Sequence, residues 1–165
     1  MTAVPHVLLD DRRAEPVPSV DGPALSDLLA AVLAAEGIGP TAECSLSLVD
    51  PPEIAALKAE YLDGDGAPTD VLSFPIDGAD APPDGEGWMV GDVVVCPAVA
   101  EQQAPGHAGT LHDEMALLVV HGGLHLVGWD HAEAADRDAM WARERELLVP
   151  LHGDPAADPW SEERP

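Results

Sequence analysis

An α+β domain built on one small mixed sheet is the fold class that this chain predicts, on three observations. Apolar residues recur with period two and period 3.6 in the order β-α-β-α-β-β-α-α, which fits a four-stranded sheet packed by about five helices once a short helical turn is counted. The 165 residues suffice for a single core, because a chain of this size buries roughly two-thirds of the surface that it exposes when unfolded. Three histidines gather where the last two helices meet, which puts a candidate metal site in the cleft between sheet and helices. Residues 1 to about 150 are expected to form the domain. The Pro- and Asp-rich residues 151–165 are expected to be a disordered tail.

Each element has its own signal. Residues 6–10 read as a short strand, followed by a connection broken by Pro16 and Pro18. Leu25, Leu28, Leu29, Val32 and Leu33 recur at helical spacing, with Pro23 suited to the first turn and Gly37-Ile38-Gly39-Pro40 as the stop. Cys44, Leu46 and Leu48 alternate with polar residues, which predicts a strand with one buried face. Asp50-Pro51-Pro52-Glu53 predicts a helix N-terminus capped by Asp50, with Ile54, Leu57 and Tyr61 on the following helix. Asp63-Gly64-Asp65-Gly66 is a solvated turn, since Ala67 and Pro68 stand where a calcium loop needs an oxygen ligand and a glycine. Val71 to Phe74 and Trp88 to Cys96 are the third and fourth strands, joined by an acidic Pro/Gly loop over 77–87 that is expected to be mobile. Pro97 to Ala104 forms a short helical turn. Thr110-Leu111-His112-Asp113 opens a long helix as a capping box, and a last helix runs from about Ala132 to Val149. Glu114 lies on the His121 face two turns earlier, but in the first turn of the long helix its expected role is to complement the helix dipole.

The formal net charge is −24, from 31 acidic residues against seven Lys and Arg. Phosphate contacts are made mainly by Lys and Arg, so this balance argues against extensive nucleic-acid contact and against DNA as a partner. No apolar stretch approaches the length that spans a bilayer, and Met1 to Arg13 lacks the features of a secretory signal. Cys44 and Cys96 sit singly in apolar runs, which predicts reduced, buried thiols. A cytoplasmic protein with no membrane association is expected.

The segment from His121 to His131 carries three histidines spaced H-x3-H-x5-H. On a helix, His121 and His125 are one turn apart on the same face, and Gly128 can end that helix and turn the chain so that His131 approaches the same point. Three neutral imidazoles leave one tetrahedral position of a zinc ion for water, whereas a structural zinc site usually closes with a fourth protein ligand. One isolated histidine on a packed helix would be unremarkable; three within eleven residues are not. The spacing matches the zinc-peptidase pattern H-E-x-x-H-x-x-G-x-x-H, but Gly122 stands where that pattern has its general base. Metal geometry is kept and peptidase chemistry is not.

Residues 121–131 resemble the signature H-G-x-L-H-L-x-G-[YW]-D-H of the YbeY family of bacterial ribosomal RNA maturation factors. Thr69 to Pro75 and Gly91 to Val95 resemble two further family blocks, and Met140 and Glu144 fall where the last helix of the family carries Met and Glu. The resemblance implies a four-stranded sheet with several helices, one Zn2+ per chain on His121, His125 and His131, and an endoribonuclease acting in the 3′-end processing of small-subunit ribosomal RNA and in ribosome quality control. It also implies ribosomal RNA and small-subunit proteins as partners. Where the family often has an arginine after the aromatic residue matched by Tyr61, this chain has Leu62, so a phosphate contact there does not carry over.

The metal-bound water is the expected nucleophile, and Asp70, Ser73, Asp92 and Asp130 are the candidate supporting residues. Asp92 is either at a water-filled cleft or at a strand end facing solvent. Asp130 is either an acceptor for the His131 ring or the cap of the last helix. Arg137, Arg143 and Arg145 are expected to form an ion-paired, solvated helix face. Two other readings fit the same residues. One is a ribosome-assembly factor that binds without catalysis and holds a structural zinc, and the other is a metallohydrolase of a small amide or ester.

Overall fold

The computed structural model describes residues 3–62, 64, 66–82 and 87–161. The predicted Asp63 to Gly66 turn and the 77–87 loop therefore fall partly outside the described residues. Strands β1 (His6–Asp11), β2 (Ala42–Leu48), β3 (Val71–Pro75) and β4 (Trp88–Val95) form one sheet in the order β1-β2-β4-β3. The β1-β2 and β2-β4 pairs are parallel and β3-β4 is antiparallel, so the sheet is mixed, as the element order predicts. Helices α1 (Gly22–Ala35), α2 (Pro51–Leu62), α3 (Pro97–Gln103), α4 (Leu111–Leu126) and α5 (Ala134–Leu151) complete the α+β fold, with a 3-10 turn at Ala104–Gly106.

Sheet periodicity divides the molecule in two. Cys44, Leu46, Leu48, Val93 and Val95 point to one face and join α1, α4 and α5 in the main core. Leu72, Val94 and Cys96 belong to a smaller cluster with Val49 and Ile54 at the start of α2, on the other side. Both cysteines are free and buried. Burial, with the nearby charge of Asp92, pushes the Cys44 thiol up to about 12, so it stays protonated and inert.

Helix α4 is buried almost all round, the mark of a central helix rather than a surface one. Thr110 caps it by accepting a hydrogen bond from the Asp113 N–H at 3.1 Å. Gly122 and Gly123 let it fit between two layers. A β-carbon at Gly122 would lie 2.8 Å from Val93 Cγ1 in the sheet, and one at Gly123 would lie 2.9 Å from Leu29 Cδ1 in α1. Ser73 Oγ donates to the Gly122 carbonyl at 3.0 Å and ties strand to helix at the same level.

Glu114 does more than complement a dipole. It is fully buried and accepts hydrogen bonds from the Ala108 N–H (3.1 Å) and Gln103 Nε2 (2.9 Å), while His107 Nδ1 lies 2.8 and 2.9 Å from its two oxygens. Gln103 Nε2 also donates to Asp70 Oδ2 at 2.7 Å, so the carboxylate joins α3, the 3-10 turn, α4 and the start of β3. Burial works against ionisation of Glu114. The hydrogen bonds outweigh it and hold the carboxyl below the usual glutamate range.

Asp50 stands at the N-cap position of α2, its carbonyl accepting from the Ile54 N–H at 3.3 Å, while its carboxylate accepts from the Ala14 N–H at 3.0 Å and fastens the chain after β1. One sequence expectation is corrected. The segment after α5, expected to be disordered, is docked as far as Ser161. His152 Nε2 lies 2.8 Å from Asp113 Oδ1, the Ala156 N–H donates to Asp113 Oδ2 at 2.9 Å, and the Ala157 N–H donates to the Ala108 carbonyl at 2.9 Å. Composition misleads here because a few backbone hydrogen bonds and buried Pro159 hold a segment that has little apolar surface of its own. No helix among the described residues is long and apolar enough to cross a membrane.

Two predictions follow from this packing. Gly122→Leu should lower stability by about 1–3 kcal/mol or more, because the side chain must displace Val93 between two packed layers; urea unfolding measures it. Glu114→Gln should destabilise at neutral pH and flatten the acid limb of the stability curve. A depressed carboxyl pKa gives stability that is complete above the unfolded value and is lost as pH falls through the folded one. Urea midpoints for both proteins across that range test it, and parallel curves would refute the assignment.

Candidate metal centre

The His121 to His131 segment begins in the last turn and a half of α4. His121 and His125 project from the helix surface that faces neither the sheet nor α1, since the Gly122 and Gly123 surfaces are taken up by those layers. Gly128, at φ +105°, ends the helix: the Trp129 N–H returns to the Leu124 carbonyl (3.1 Å) and the Gly128 N–H to the His125 carbonyl (3.2 Å). This turn brings His131 back towards the helix. The three histidines each offer a ring nitrogen, and these nitrogens lie within 4.8 Å of one another. His121 Nε2 and His125 Nε2 are 3.0 Å apart.

The surroundings orient this donor set. Buried Glu144 of α5 places Oε1 2.6 Å from His121 Nδ1, so the imidazole proton is held at Nδ1 and the Nε2 lone pair points at the other two rings. Burial, and then the neighbouring His121 and His131, hold the His125 pKa below the ordinary histidine value, which favours the neutral form that a metal requires. The turn carrying His131 is anchored through Trp129, whose indole N–H donates to Glu36 Oε1 at the end of α1. Glu36 in turn receives Nε (2.9 Å) and Nη2 (2.7 Å) of Arg143 from α5. Three imidazoles, one backed by a carboxylate and no fourth protein donor among the described residues, form a set that fits an open divalent site of the zinc type.

The supporting residues expected from the sequence are dispersed. Asp70 lines a cavity of about 150 Å3 that also contains His121, His107, Trp141 and Glu144, but both its oxygens are engaged, by the Val71 N–H and by Gln103. Ser73 serves helix packing through the Gly122 carbonyl. Asp92 lies away from the histidines. Strand alternation turns Val93 towards α4 and therefore sends Asp92 to the opposite face, where it accepts from Ser45 Oγ at 2.5 Å in a separate groove of about 480 Å3 lined by Phe74 and Tyr61. Asp130 neither reaches the His131 ring nor caps α5. Its Oδ1 accepts from the His131 N–H at 2.7 Å, and Glu133 occupies the N-cap position.

Among the outer residues, Glu36 and Trp160 carry no signal in the sequence, Arg143 is ion-paired as expected but to Glu36 across the fold, and Glu144 carried a hint through its place beside Met140. Leu62, where the arginine of the family is missing, ends α2 and is exposed, beside a Tyr61 that packs edge to face on Phe74 at 5.6 Å. Gly122 meets the sheet, so a side chain there could not reach the histidines in any case.

Comparison with known proteins agrees with this architecture. A family described as "Endoribonuclease YbeY" matches residues 19–152. The protein of that name from Acidothermus cellulolyticus is 48% identical over 143 residues, covering 82% of this chain and 86% of its own. Its namesake from Mycolicibacterium smegmatis is 43% identical over 135 residues, covering 78% and 75%. The solution structure of TM1509 from Thermotoga maritima superposes with a TM-score of 0.56 at 26% identity, over 87% of this chain and 89% of that one. With these sequence matches and the shared fold, the chain belongs to the YbeY family.

Proposed function

We propose that this protein is a zinc-dependent endoribonuclease of the cytoplasm that hydrolyses phosphodiester bonds in ribosomal RNA, acting in small-subunit 3′-end processing and ribosome quality control. The observation that carries the reading is the convergence of His121, His125 and His131 on one point, with Glu144 behind His121, in a chain whose relatives bear the name endoribonuclease. Zinc, when bound, supplies a Lewis acid and hydroxide at neutral pH. The chain supplies the rest. Glu144 keeps the His121 proton on the side away from the ligand point, burial keeps His125 neutral, and the Trp129 to Glu36 contact holds the turn that presents His131.

A second reading rests on charge. Arg12, Arg13, Arg137, Arg143 and Arg145 all have carboxylate partners within 4.0 Å. Cations already committed to carboxylates contribute little to phosphate binding, which favours an assembly factor that acts by contact with small-subunit proteins.

Zinc content and RNA cleavage separate these readings. The purified protein should hold one zinc per chain, lost in His125→Ala; elemental analysis that finds none after chelator-free purification refutes the metal centre. The zinc form should cleave single-stranded RNA slowly at low salt, and His121→Ala should abolish cleavage at matched protein concentration. Leu62→Arg should raise turnover by providing the missing phosphate contact. Equal rates for wild type and His121→Ala would mean that the activity is not the protein's own, and the assembly-factor reading would then replace the nuclease. Casein should remain intact throughout, because no carboxylate stands at position 122.

A further inference from the structure

Glu144 uses both of its oxygens. Oε1 faces His121 Nδ1 at 2.6 Å, and Oε2 accepts the indole N–H of Trp160 at 2.9 Å. The carboxylate is buried, where an unpaired oxygen would be costly and, without its second partner, the group would be free to rotate. We infer that Trp160, in the segment beyond the last helix, is a positioning residue for the metal centre: its N–H fixes the plane of Glu144, and Glu144 then fixes the tautomer and orientation of His121. The inference rests on the reading of the three histidines as metal ligands.

The segment is built to deliver that N–H. Asp113 holds it by His152 and the Ala156 N–H, Ala108 holds it by the Ala157 N–H, and Asp158 Oδ1 accepts the Trp160 N–H of the backbone at 2.8 Å. Arg145 lies over the Trp160 ring at 4.8 Å from its centre. Trp160 also forms one wall of the cavity of about 150 Å3 beside His121. A segment that merely covered apolar surface would have no need to aim a donor at the one carboxylate that backs a ligand.

The test measures zinc affinity of the full chain by competition with a chromogenic chelator. Four proteins are compared: wild type, Trp160→Phe, Glu144→Gln and the double variant. Outer partners of metal ligands are worth about 10–100-fold in affinity. Trp160→Phe should bind zinc about tenfold more weakly, Glu144→Gln should lose at least as much, and the double variant should be no weaker than Glu144→Gln alone. A benzothiophene analogue of tryptophan at position 160, which keeps the ring shape and replaces N–H by sulfur, should reproduce the Trp160→Phe loss even if the phenylalanine variant folds poorly. The cobalt-loaded protein should show a shifted visible absorption band in the same variants. Wild-type affinity in both Trp160 variants would overturn the proposal while leaving the metal centre standing, as would losses that multiply in the double variant. Failure of the wild type to bind zinc would overturn the metal reading and this proposal together.

Discussion

The structure depends on the fit of α4 between the sheet and α1. Two consecutive glycines, Gly122 and Gly123, remove the side chains that would hold those layers apart, and each turns its bare surface to a different neighbour. With two sides of the helix closed in this way, the residues just before and after the glycines have one open surface left. His121 and His125 occupy it. The same glycines that permit close packing thereby leave the imidazoles directed towards the returning turn, and the packing of the fold and the direction of the site have one origin.

Around that helix the protein handles its excess of negative charge by burying selected carboxylates with donors in place. Glu114 is met by His107, Gln103 and a backbone amide, and Glu144 by His121 and Trp160, while the half-buried Glu36 is met by Trp129 and Arg143. A buried carboxylate without such partners would be protonated or displaced. Cations are few, so neutral donors do much of this work. Indole and amide N–H groups satisfy the oxygens at no cost in net charge.

The sequence made the strands, the helices and the three histidines legible because each rests on local pattern. Cys44, Leu46 and Leu48 reveal a strand by alternation, Leu25 to Leu33 reveal a helix by spacing, and His121, His125 and His131 lie within eleven residues. What stayed hidden was long-range or directional. Glu36 meets Trp129 across 93 residues, and nothing in a helix C-terminus identifies one acid among many as an anchor. The sequence left open whether Asp92 lines a cleft or faces solvent; it lines a groove, but on the face away from the histidines, and which face it takes follows from the packing of Val93 under Gly122. Trp160 was missed because Pro, Asp and Ala surround it, and composition says nothing about a backbone that hydrogen-bonds to Ala108 and Asp113.

The difference between local and distant contributions has a consequence for the unfolded chain. All three imidazoles stay close in sequence when the protein is denatured, so an unfolded molecule retains a usable set of ligands. Glu36, Glu144 and Trp160 do not stay close, and their orienting effect disappears with the fold. A ligand stabilises a protein only through the difference between its affinities for the folded and unfolded forms. A metal ion held by these histidines would therefore raise the melting temperature by less than its affinity for the native protein suggests, and the increment that it did give would report on the outer residues rather than on the histidines themselves.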